Sequence, residues 1–382
     1  MIDTGTGKMR FRDLKAQYLA LKSEIDTQIR SVIEGSEFIL GGQVTELEEQ
    51  LAAYTGRKYC VSCASGTDAL LLALMTLNVG QQDAVFVPDY TFIASADAAA
   101  FLGAIPVFTD IVPSTFNMCP DSLESQIQGV LKEGKMIPKV IVAVDLFGQP
   151  ADYDRILPIA EKYGLNVIED GAQGFGGSIR GRRACSFGDI SVTSFFPSKP
   201  LGCYGDGGAV FTDDEHMAQR LRSLRAHGRS KEDKYCNLEV GINSRLDTLQ
   251  AAILLPKLKA FEKYELDNVN KVAGWYTQRL KDSFITPAIP AGFGSSWAQY
   301  TILCKDGAER EAVQKRLKAC DIPTMIYFPR GLHLQKAFEG RGYSDADYVA
   351  SLDVSSRALS LPINPYLKED EVDRVCKAVL GE

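Results

Sequence analysis

Short apolar runs rich in β-branched residues alternate with helix-like segments over residues 84–226 of this chain. Alternation of this kind predicts an α/β fold, with a mixed and mostly parallel sheet sandwiched by helices. In open sheets of this type, ligands bind at the carboxyl ends of the strands, where the loops gather. The predicted strands span residues 84–88, 105–111, 138–145, 165–169, 190–195 and 207–212, and the predicted helices span residues 92–102, 120–131, 152–163 and 214–226.

The segments that flank this alternation predict further helices. Apolar residues at three- and four-residue spacing indicate an amphipathic helix over residues 11–34, which reads as an N-terminal arm, and a second helix follows at residues 44–54. A long helical region opens at Ser244 and runs to Leu280. We expect a kink at Pro256, because proline removes one helix hydrogen bond.

The C-terminal part of the chain predicts a smaller α+β unit. Its pattern gives a strand at residues 299–304, a helix at 307–319 and a short strand at 322–327. We therefore predict a large ligand-binding domain over residues 1–250, which includes the N-terminal arm, and a small domain over residues 251–382.

Composition and charge exclude several classes of function. The net charge is −7 and both signs are interspersed, so no basic face is available for nucleic acid. The chain has no apolar stretch close to the ~20 residues that a membrane helix needs, and its start lacks the apolar core of a signal peptide. These features predict a cytoplasmic protein that binds neither nucleic acid nor membrane.

The cysteines and histidines give no sign of a metal centre. Nine scattered cysteines fit a reducing compartment better than a disulfide framework. Cys60 and Cys63 form a C-x-x-C, but in a strand over residues 58–63 they face opposite sides, which favours core packing over redox or zinc chemistry. The three histidines lie far apart in sequence, so we predict no metal site.

A loop after the predicted strand 190–195 presents one lysine, Lys199. Pro197 and Pro200 restrict the backbone beside it, and the glycines that follow allow a ligand to approach closely. A lysine held rigidly beside hydroxyl and backbone donors suits a nucleophile that forms a Schiff base. The alternative is an ordinary solvated surface lysine.

Two further strand ends carry polar groups. Ser65-Gly66-Thr67 leads from a β run into an apolar helix, whose N-terminal N–H groups can bind an anion; alternatively, Ser65 or Thr67 only caps the helix. Asp170 ends the run that starts at Asn166, where a buried carboxylate requires a cation such as a pyridinium; alternatively, it caps a turn. Glu169 should face the opposite side of the sheet. Together with Lys199, these groups are what pyridoxal phosphate (PLP) chemistry requires.

Five motifs in the same order resemble those of the DegT/DnrJ nucleotide-sugar aminotransferases, which are fold-type I PLP enzymes. The likeness covers residues 10–380. The motifs are Ser65-Gly-Thr-Asp-Ala-Leu70, Glu169-Asp-Gly-Ala-Gln173, Ser194-Phe-Phe-Pro-Ser-Lys199-Pro-Leu-Gly202, Gly205-Asp-Gly-Gly208 and Asn243-Ser-Arg-Leu-Asp-Thr-Leu-Gln-Ala-Ala252.

The resemblance implies a role for each matching residue. Lys199 would bind PLP covalently as an imine, Asp170 would pair with the pyridine nitrogen, and Gln173 would bond the ring hydroxyl. Phe92 would stack on the ring. Asn243 would reach the phosphate from the neighbouring subunit, which implies a homodimer with composite sites. The implied phosphate-binding residues are Gly66, Thr67 and Ser194, and the further substrate-binding candidates are Arg245, Tyr327 and His333.

The resemblance also indicates a substrate class. Ser194-Phe195-Phe196 before the lysine, and Leu201-Gly202 after it, look like relatives that act at sugar C3. The longer segment over residues 195–208 is most similar to enzymes that aminate UDP-2-acetamido-2-deoxy-3-oxo-glucuronic acid for bacterial surface polysaccharide such as O-antigen. The expected amino donor is L-glutamate. Arg245 is the candidate for binding the uronate carboxylate. Its alternative is a salt bridge within the helix or across the subunit interface, for example with Asp247.

Other functions remain open at this point. The chain could aminate another dTDP- or UDP-linked 3- or 4-keto sugar, or be a non-catalytic regulatory protein with the same fold. A Rossmann dehydrogenase is disfavoured, since no G-x-G-x-x-G lies between the first strand and helix. Gly5-Thr-Gly-Lys8 has neither the full spacing of a P-loop nor a preceding strand.

Overall fold

The computed structural model describes residues 9–233 and 235–382. The predicted features of the chain's start, including the Gly5-Thr-Gly-Lys8 segment, lie outside these residues. Within them, the α-helices are α1 (Leu14–Gly35), α2 (Gly42–Thr55), α3 (Gly66–Thr76), α4 (Ala94–Phe101), α5 (Pro120–Glu133), α6 (Tyr153–Tyr163), α7 (Glu215–Leu224), α8 (Thr248–Ala260), α9 (Leu266–Leu280), α10 (Gly307–Ala319), α11 (Val349–Arg357) and α12 (Glu369–Leu380). The strands are β1 (Tyr59–Cys63), β2 (Asp83–Pro88), β3 (Ile105–Thr109), β4 (Ile137–Val144), β5 (Asn166–Asp170), β6 (Ser178–Ile179), β7 (Arg182–Arg183), β8 (Ile190–Ser194), β9 (Gly208–Thr212), β10 (Phe293–Gly294), β11 (Tyr300–Leu303) and β12 (Ala358–Leu361).

A seven-stranded sheet forms the centre of the fold, in the order β1-β9-β8-β5-β4-β2-β3. The strands from β8 to β3 in this order are parallel to one another, whereas β9 is antiparallel to both β8 and β1. The prediction of a mixed, mostly parallel sheet is therefore confirmed. Because β9 is antiparallel to both β1 and β8, β1 runs in the same direction as the parallel strands.

Helices cover both faces of this sheet, as the alternation predicts. Val140 and Val142 of β4 pack in one apolar cluster with α3 and α4, while Ile141 between them packs in another with α5 and α6. This alternation follows the two-residue period of a strand. Cys60 and Cys63 likewise lie in different clusters on opposite faces of β1, which confirms the prediction of core packing.

The C-terminal unit is built on a two-stranded antiparallel sheet of β11 and β12, with α9, α10 and α12 in the same apolar core. The predicted strand at 322–327 is wrong: only Met325 makes a bridge, to Ser360 of β12. The sequence pattern missed β12, because its four residues merge with the end of α11.

The long helical region continues through Pro256, which lies inside α8. Its departure from α geometry is a π-helical turn at Phe261–Glu265, between α8 and α9, and the helix starts at Thr248 rather than at Ser244. The predicted domain boundary at residues 250 and 251 falls inside α8 and stays a prediction. None of the helices in the described ranges has the length and apolar character to cross a membrane.

Candidate active site

Sheet topology brings three polar loops to one edge. β1, β5 and β8 all run in the same direction, so their carboxyl ends meet there. In the register of β5 and β8, Asp170 lies opposite Val192, two residues before Ser194. The loop that carries Lys199 follows directly. The structure therefore gathers the predicted residues of the three motifs at one end of the sheet.

Asp170 is a buried carboxylate at the end of β5. Ser95 at the start of α4 donates its hydroxyl to Oδ2 at 2.7 Å, and the backbone N–H of Ala172 donates to Oδ1 at 3.1 Å. The turn-capping alternative is thus present in the geometry, but two neutral donors leave the carboxylate without an ion pair among the described residues. Burial raises the pKa of Asp170, and the hydrogen bonds and the charge of Lys199 oppose that rise. Glu169 faces the other way and accepts from the Phe187 N–H at 2.6 Å.

Lys199 lies in the loop between β8 and β9, half-buried rather than solvated. Its backbone N–H donates to the carbonyl of Phe196 at 2.9 Å, which closes a tight turn around Pro197. Burial lowers the pKa of Lys199, the charge of Asp170 partly offsets this, and Arg12 lowers the pKa further. An amine with a lowered pKa is a better nucleophile towards a carbonyl group.

The turn from β1 into α3, Ser65-Gly66-Thr67, forms a concave site for an anion, which we call the anion cup. The hydroxyl of Ser65 caps α3 by accepting from the Asp68 N–H at 3.0 Å, so the capping role is confirmed for this residue. The N–H groups of Gly66 and Thr67 come first in the helix, where such groups have no intrahelical acceptor. A Cβ on Gly66 would lie 2.6 Å from the Cβ of Ser194, so the cup and the end of β8 touch.

Gln173 and Phe92 flank the same edge of the sheet. Gln173 is buried, and its Oε1 accepts from the Phe147 N–H at 2.9 Å, which turns the amide NH₂ to the other side. Phe92 is half-exposed, with its ring 6.3 Å from that of Phe328, and lies three residues before the Ser95 that binds Asp170. An exposed aromatic ring beside a buried carboxylate is available to stack on a ligand.

Asn243 and Arg245 line one open cavity of about 410 Å³, together with Ala64 and Gly205. Asn243 is exposed and Arg245 is half-buried. In the part of the chain that the structure describes, Arg245 forms no ion pair with Asp247, so the intrachain salt-bridge alternative is not realised. Ala64 directly precedes the Ser65 cap, so the cavity lies beside the anion cup.

The two other predicted substrate residues, Tyr327 and His333, lie in different surroundings. Tyr327 lies beside Arg12, close enough for its charge to affect the pKa of that guanidinium. His333 is buried, and its Nδ1 lies 2.8 Å from Asp89, while its ring packs on Tyr348. Burial lowers the pKa of His333, but Asp89 and Asp345 together outweigh burial and raise the pKa overall. The substrate roles of both residues stay predictions.

Sequence reasoning missed two polar residues at this site. Ser95 binds Asp170 directly, and its place three residues after Phe92 was the available signal. Arg12 lines a cavity with Lys199, and its guanidinium donates to the backbone carbonyl of Ala298. Burial lowers the pKa of Arg12 to about 10. No local pattern marks Arg12, because its position depends on how the N-terminal arm packs.

These groups fit PLP. A buried carboxylate without a cation suits the pyridinium nitrogen, a lysine with a lowered pKa suits imine formation, and a cup too tight for a Cβ at Gly66 suits a phosphate. The fold and the site together therefore define a fold-type I PLP enzyme.

Comparison with known proteins identifies the family. The chain matches the DegT/DnrJ/EryC1/StrS aminotransferase family over residues 20–380 and belongs to it. It is 46% identical to UDP-2-acetamido-2-deoxy-3-oxo-D-glucuronate aminotransferase of Pseudomonas aeruginosa, over 97% of this chain and 99% of that protein. It is 40% identical to UDP-N-acetyl-3-dehydro-alpha-D-glucosamine 3-aminotransferase of Acidithiobacillus ferrooxidans, over 96% of each.

A solved structure gives the same result. A DegT DnrJ EryC1 StrS aminotransferase from Brucella abortus superposes with a TM-score of 0.94 at 44% identity, covering 98% of this chain and 99% of that one. The predicted family and fold type are confirmed. The chain is a PLP-dependent sugar aminotransferase.

Proposed function

We propose that this enzyme transfers the amino group of L-glutamate to C3 of UDP-2-acetamido-2-deoxy-3-oxo-glucuronic acid. The observation that carries this proposal is the 46% identity, over nearly the whole of both chains, to an aminotransferase named for that substrate. Arg245 supports it: among the described residues it forms no ion pair, it lines the cavity beside the anion cup, and a uronate brings a carboxylate that needs a cation.

PLP supplies the electron sink for this reaction when it is bound. Lys199 Nζ would hold the cofactor, and as the free amine it would accept the proton from the substrate carbon that carries the amino group. Asp170, which accepts hydrogen bonds from Ser95 and Ala172, would keep a proton on the pyridine nitrogen. Burial would strengthen that ion pair, because an anion in a site with low dielectric constant interacts strongly with a cation.

The remaining predicted roles form part of the same proposal. Gly66, Thr67 and Ser194 would bind the phosphate, Gln173 would donate to the ring hydroxyl, and Phe92 would stack on the ring. Asn243 is exposed in its own subunit, which suits a residue that completes the site of a partner. We propose a homodimer with composite sites, in a cytoplasmic enzyme of surface polysaccharide biosynthesis.

We propose that Arg245 binds the substrate carboxylate, since a planar guanidinium group can donate two parallel hydrogen bonds to a carboxylate. Arg245→Gln should raise KM for the 3-keto uronate at least tenfold, which is about 1.4 kcal/mol, and leave the glutamate half-reaction nearly intact. The matched control is Arg222→Gln, on the exposed face of α7 near Tyr59. If Arg245→Gln discriminates the uronate from its neutral 6-hydroxymethyl analogue as well as wild type does, Arg245 does not read the carboxylate.

A second candidate substrate is the neutral analogue itself, a UDP-linked 3-keto-N-acetylglucosamine. The 40% identity to an enzyme named for such a sugar favours it. The deciding experiment converts the enzyme to its amine form with glutamate and then adds each keto sugar separately. Recovery of the visible chromophore with the uronate alone supports the first proposal, and faster recovery with the neutral sugar supports the second.

A further inference from the structure

Ser244 connects the Asn243–Arg245 segment to the anion cup of its own subunit. Its hydroxyl donates to Asp68 Oδ2 at 2.7 Å and accepts from the Ala64 N–H at 3.0 Å. Ser244 is fully buried, so neither bond competes with water. Ala64 and Asp68 lie on the two sides of the Ser65-Gly66-Thr67 turn.

The backbone of Ser244 is anchored as well. Its N–H donates to the Arg225 carbonyl at 2.9 Å, and the Arg225 guanidinium donates to the Ser62 carbonyl at 2.7 Å in β1. Arg225 also pairs with Glu48 at 2.6 Å, with both side chains mostly buried. The segment is therefore fixed to β1 and to the start of α3 from two directions.

Asn243 and Arg245 are the immediate neighbours of this anchored serine. One is exposed and the other half-buried, and both line the open cavity beside Ala64. Because Asn243 and Arg245 are bonded directly to the buried Ser244, they cannot move independently of the anion cup. A shift of the Ala64–Asp68 backbone is transmitted to both through hydrogen bonds of ordinary length.

We propose that Ser244 is a positioning residue that couples the two active sites of the dimer. Asn243 and Arg245 of one subunit contribute to the site of the partner. Ser244 fixes them to the anion cup of the subunit to which they belong. This inference rests on the composite site of the proposed function. When the phosphate-binding turn of one subunit is ordered, its Asn243 is held in place for the site of the other.

The test uses hybrid dimers in which Lys199→Ala silences one chain. A borohydride-reducible chromophore then reports only the site with Lys199, and that site receives Asn243 from the silenced chain. Ser244→Ala placed on the silenced chain should raise the PLP dissociation constant of the intact chain's site about tenfold, the size of one buried charge-assisted hydrogen bond. A defect confined to the mutated subunit's own cup would leave that constant unchanged.

One control variant and two further measurements separate the explanations. Ser360→Ala on the silenced chain removes an equally buried hydroxyl that bonds Thr301 in the small sheet, and it should leave the constant unchanged. Asn243→Ala on the silenced chain should raise the constant if the site is composite. In apoprotein, Ser244→Ala should speed amide hydrogen exchange in residues 242–246, a readout that needs no cofactor.

The outcomes are distinct. If Asn243→Ala weakens binding and Ser244→Ala on the same chain does not, the coupling is overturned while the composite site stands. If neither variant has an effect, the composite site fails and the coupling fails with it. An equal effect of Ser360→Ala would assign the result to general destabilisation and also overturn the coupling.

Discussion

Gly66 has no room for a side chain at the turn that is proposed to bind the cofactor phosphate. It is the first residue of α3, and a Cβ built there would lie 2.6 Å from the Cβ of Ser194 and 3.0 Å from its Oγ. Ordinary van der Waals contact for a Cβ begins at 3.4 Å. Gly66→Ala must therefore separate the turn from the end of β8 by roughly 0.8 Å.

The neighbouring backbone leaves little freedom for that movement. Ser194 is paired with Gly208 in the sheet, and a Cβ on Gly208 would lie 2.4 Å from the Ser65 carbonyl oxygen. Overpacking of this kind costs about 1–3 kcal/mol, and the gain in helix propensity from alanine is at most about 1 kcal/mol. We expect Gly66→Ala to lower the free energy of unfolding by about 1–2 kcal/mol and to weaken PLP binding, because the displaced turn carries the phosphate donors.

Gly129→Ala is the matched control. Gly129 lies in the exposed face of α5, and a Cβ there meets no atom within 4 Å. The same substitution should raise the free energy of unfolding by about 0.5–1 kcal/mol through helix propensity and leave PLP binding unchanged. Urea unfolding of the apoproteins and PLP titration measure the two effects.

A second substitution tests the cause. Ser194→Gly in the Gly66→Ala background removes the opposing Cβ, so stability should return towards wild type while PLP affinity stays low, since the Ser194 hydroxyl is a proposed phosphate donor. The reasoning is refuted if Gly66→Ala unfolds at the same urea concentration as wild type and binds PLP equally well. It is also refuted if Gly66→Ala destabilises the Ser194→Gly protein as much as it destabilises wild type.

Two further substitutions test the site, and a third tests Lys257, a buried residue of α8. Lys199→Ala should give no borohydride-reducible chromophore and no turnover, and normal activity would remove the whole mechanism. Asp170→Asn should keep the fold yet lower kcat by several orders of magnitude, because an amide cannot keep a proton on the pyridine nitrogen; a rate within tenfold of wild type would make Asp170 only a turn cap. Burial lowers the pKa of Lys257 to about 8, so between pH 8 and pH 10 the unfolded chain binds more protons than the folded one. The unfolding free energy of wild type relative to Lys257→Met should therefore rise by about 2 kcal/mol over that range, and parallel pH profiles would contradict the assigned pKa.

Local pattern was sufficient for most elements of the sheet and its helices. The prediction at 307–319 matches α10, and the predicted strands from 84 to 212 differ from the observed ones by one or two residues at their ends. Periodicity succeeds here because burial on both faces forces each run to be apolar. It failed at 322–327, where Ile322 is buried but Met325 is exposed, and only Met325 makes a bridge to a strand.

The sequence also singled out the candidate reactive groups, because PLP chemistry demands particular residue types in particular loops. Lys199, Asp170 and the Ser65-Gly66-Thr67 turn are recognisable from the residues immediately around them. The structure then places Asp170 and Ser194 at the ends of adjacent parallel strands.

Only the tertiary structure decided which distant groups touch. Ser244 binds Asp68 across 176 positions of sequence, and Ser95 binds Asp170 across 75. Arg12 reaches the cavity of Lys199 because α1 packs against α8. Such contacts leave no periodic trace, since one hydrogen bond constrains a single residue rather than the face of an element. Burial of a helix or strand face produces a periodic pattern in the sequence. The pairing of individual polar groups depends instead on how the packed elements bring them together.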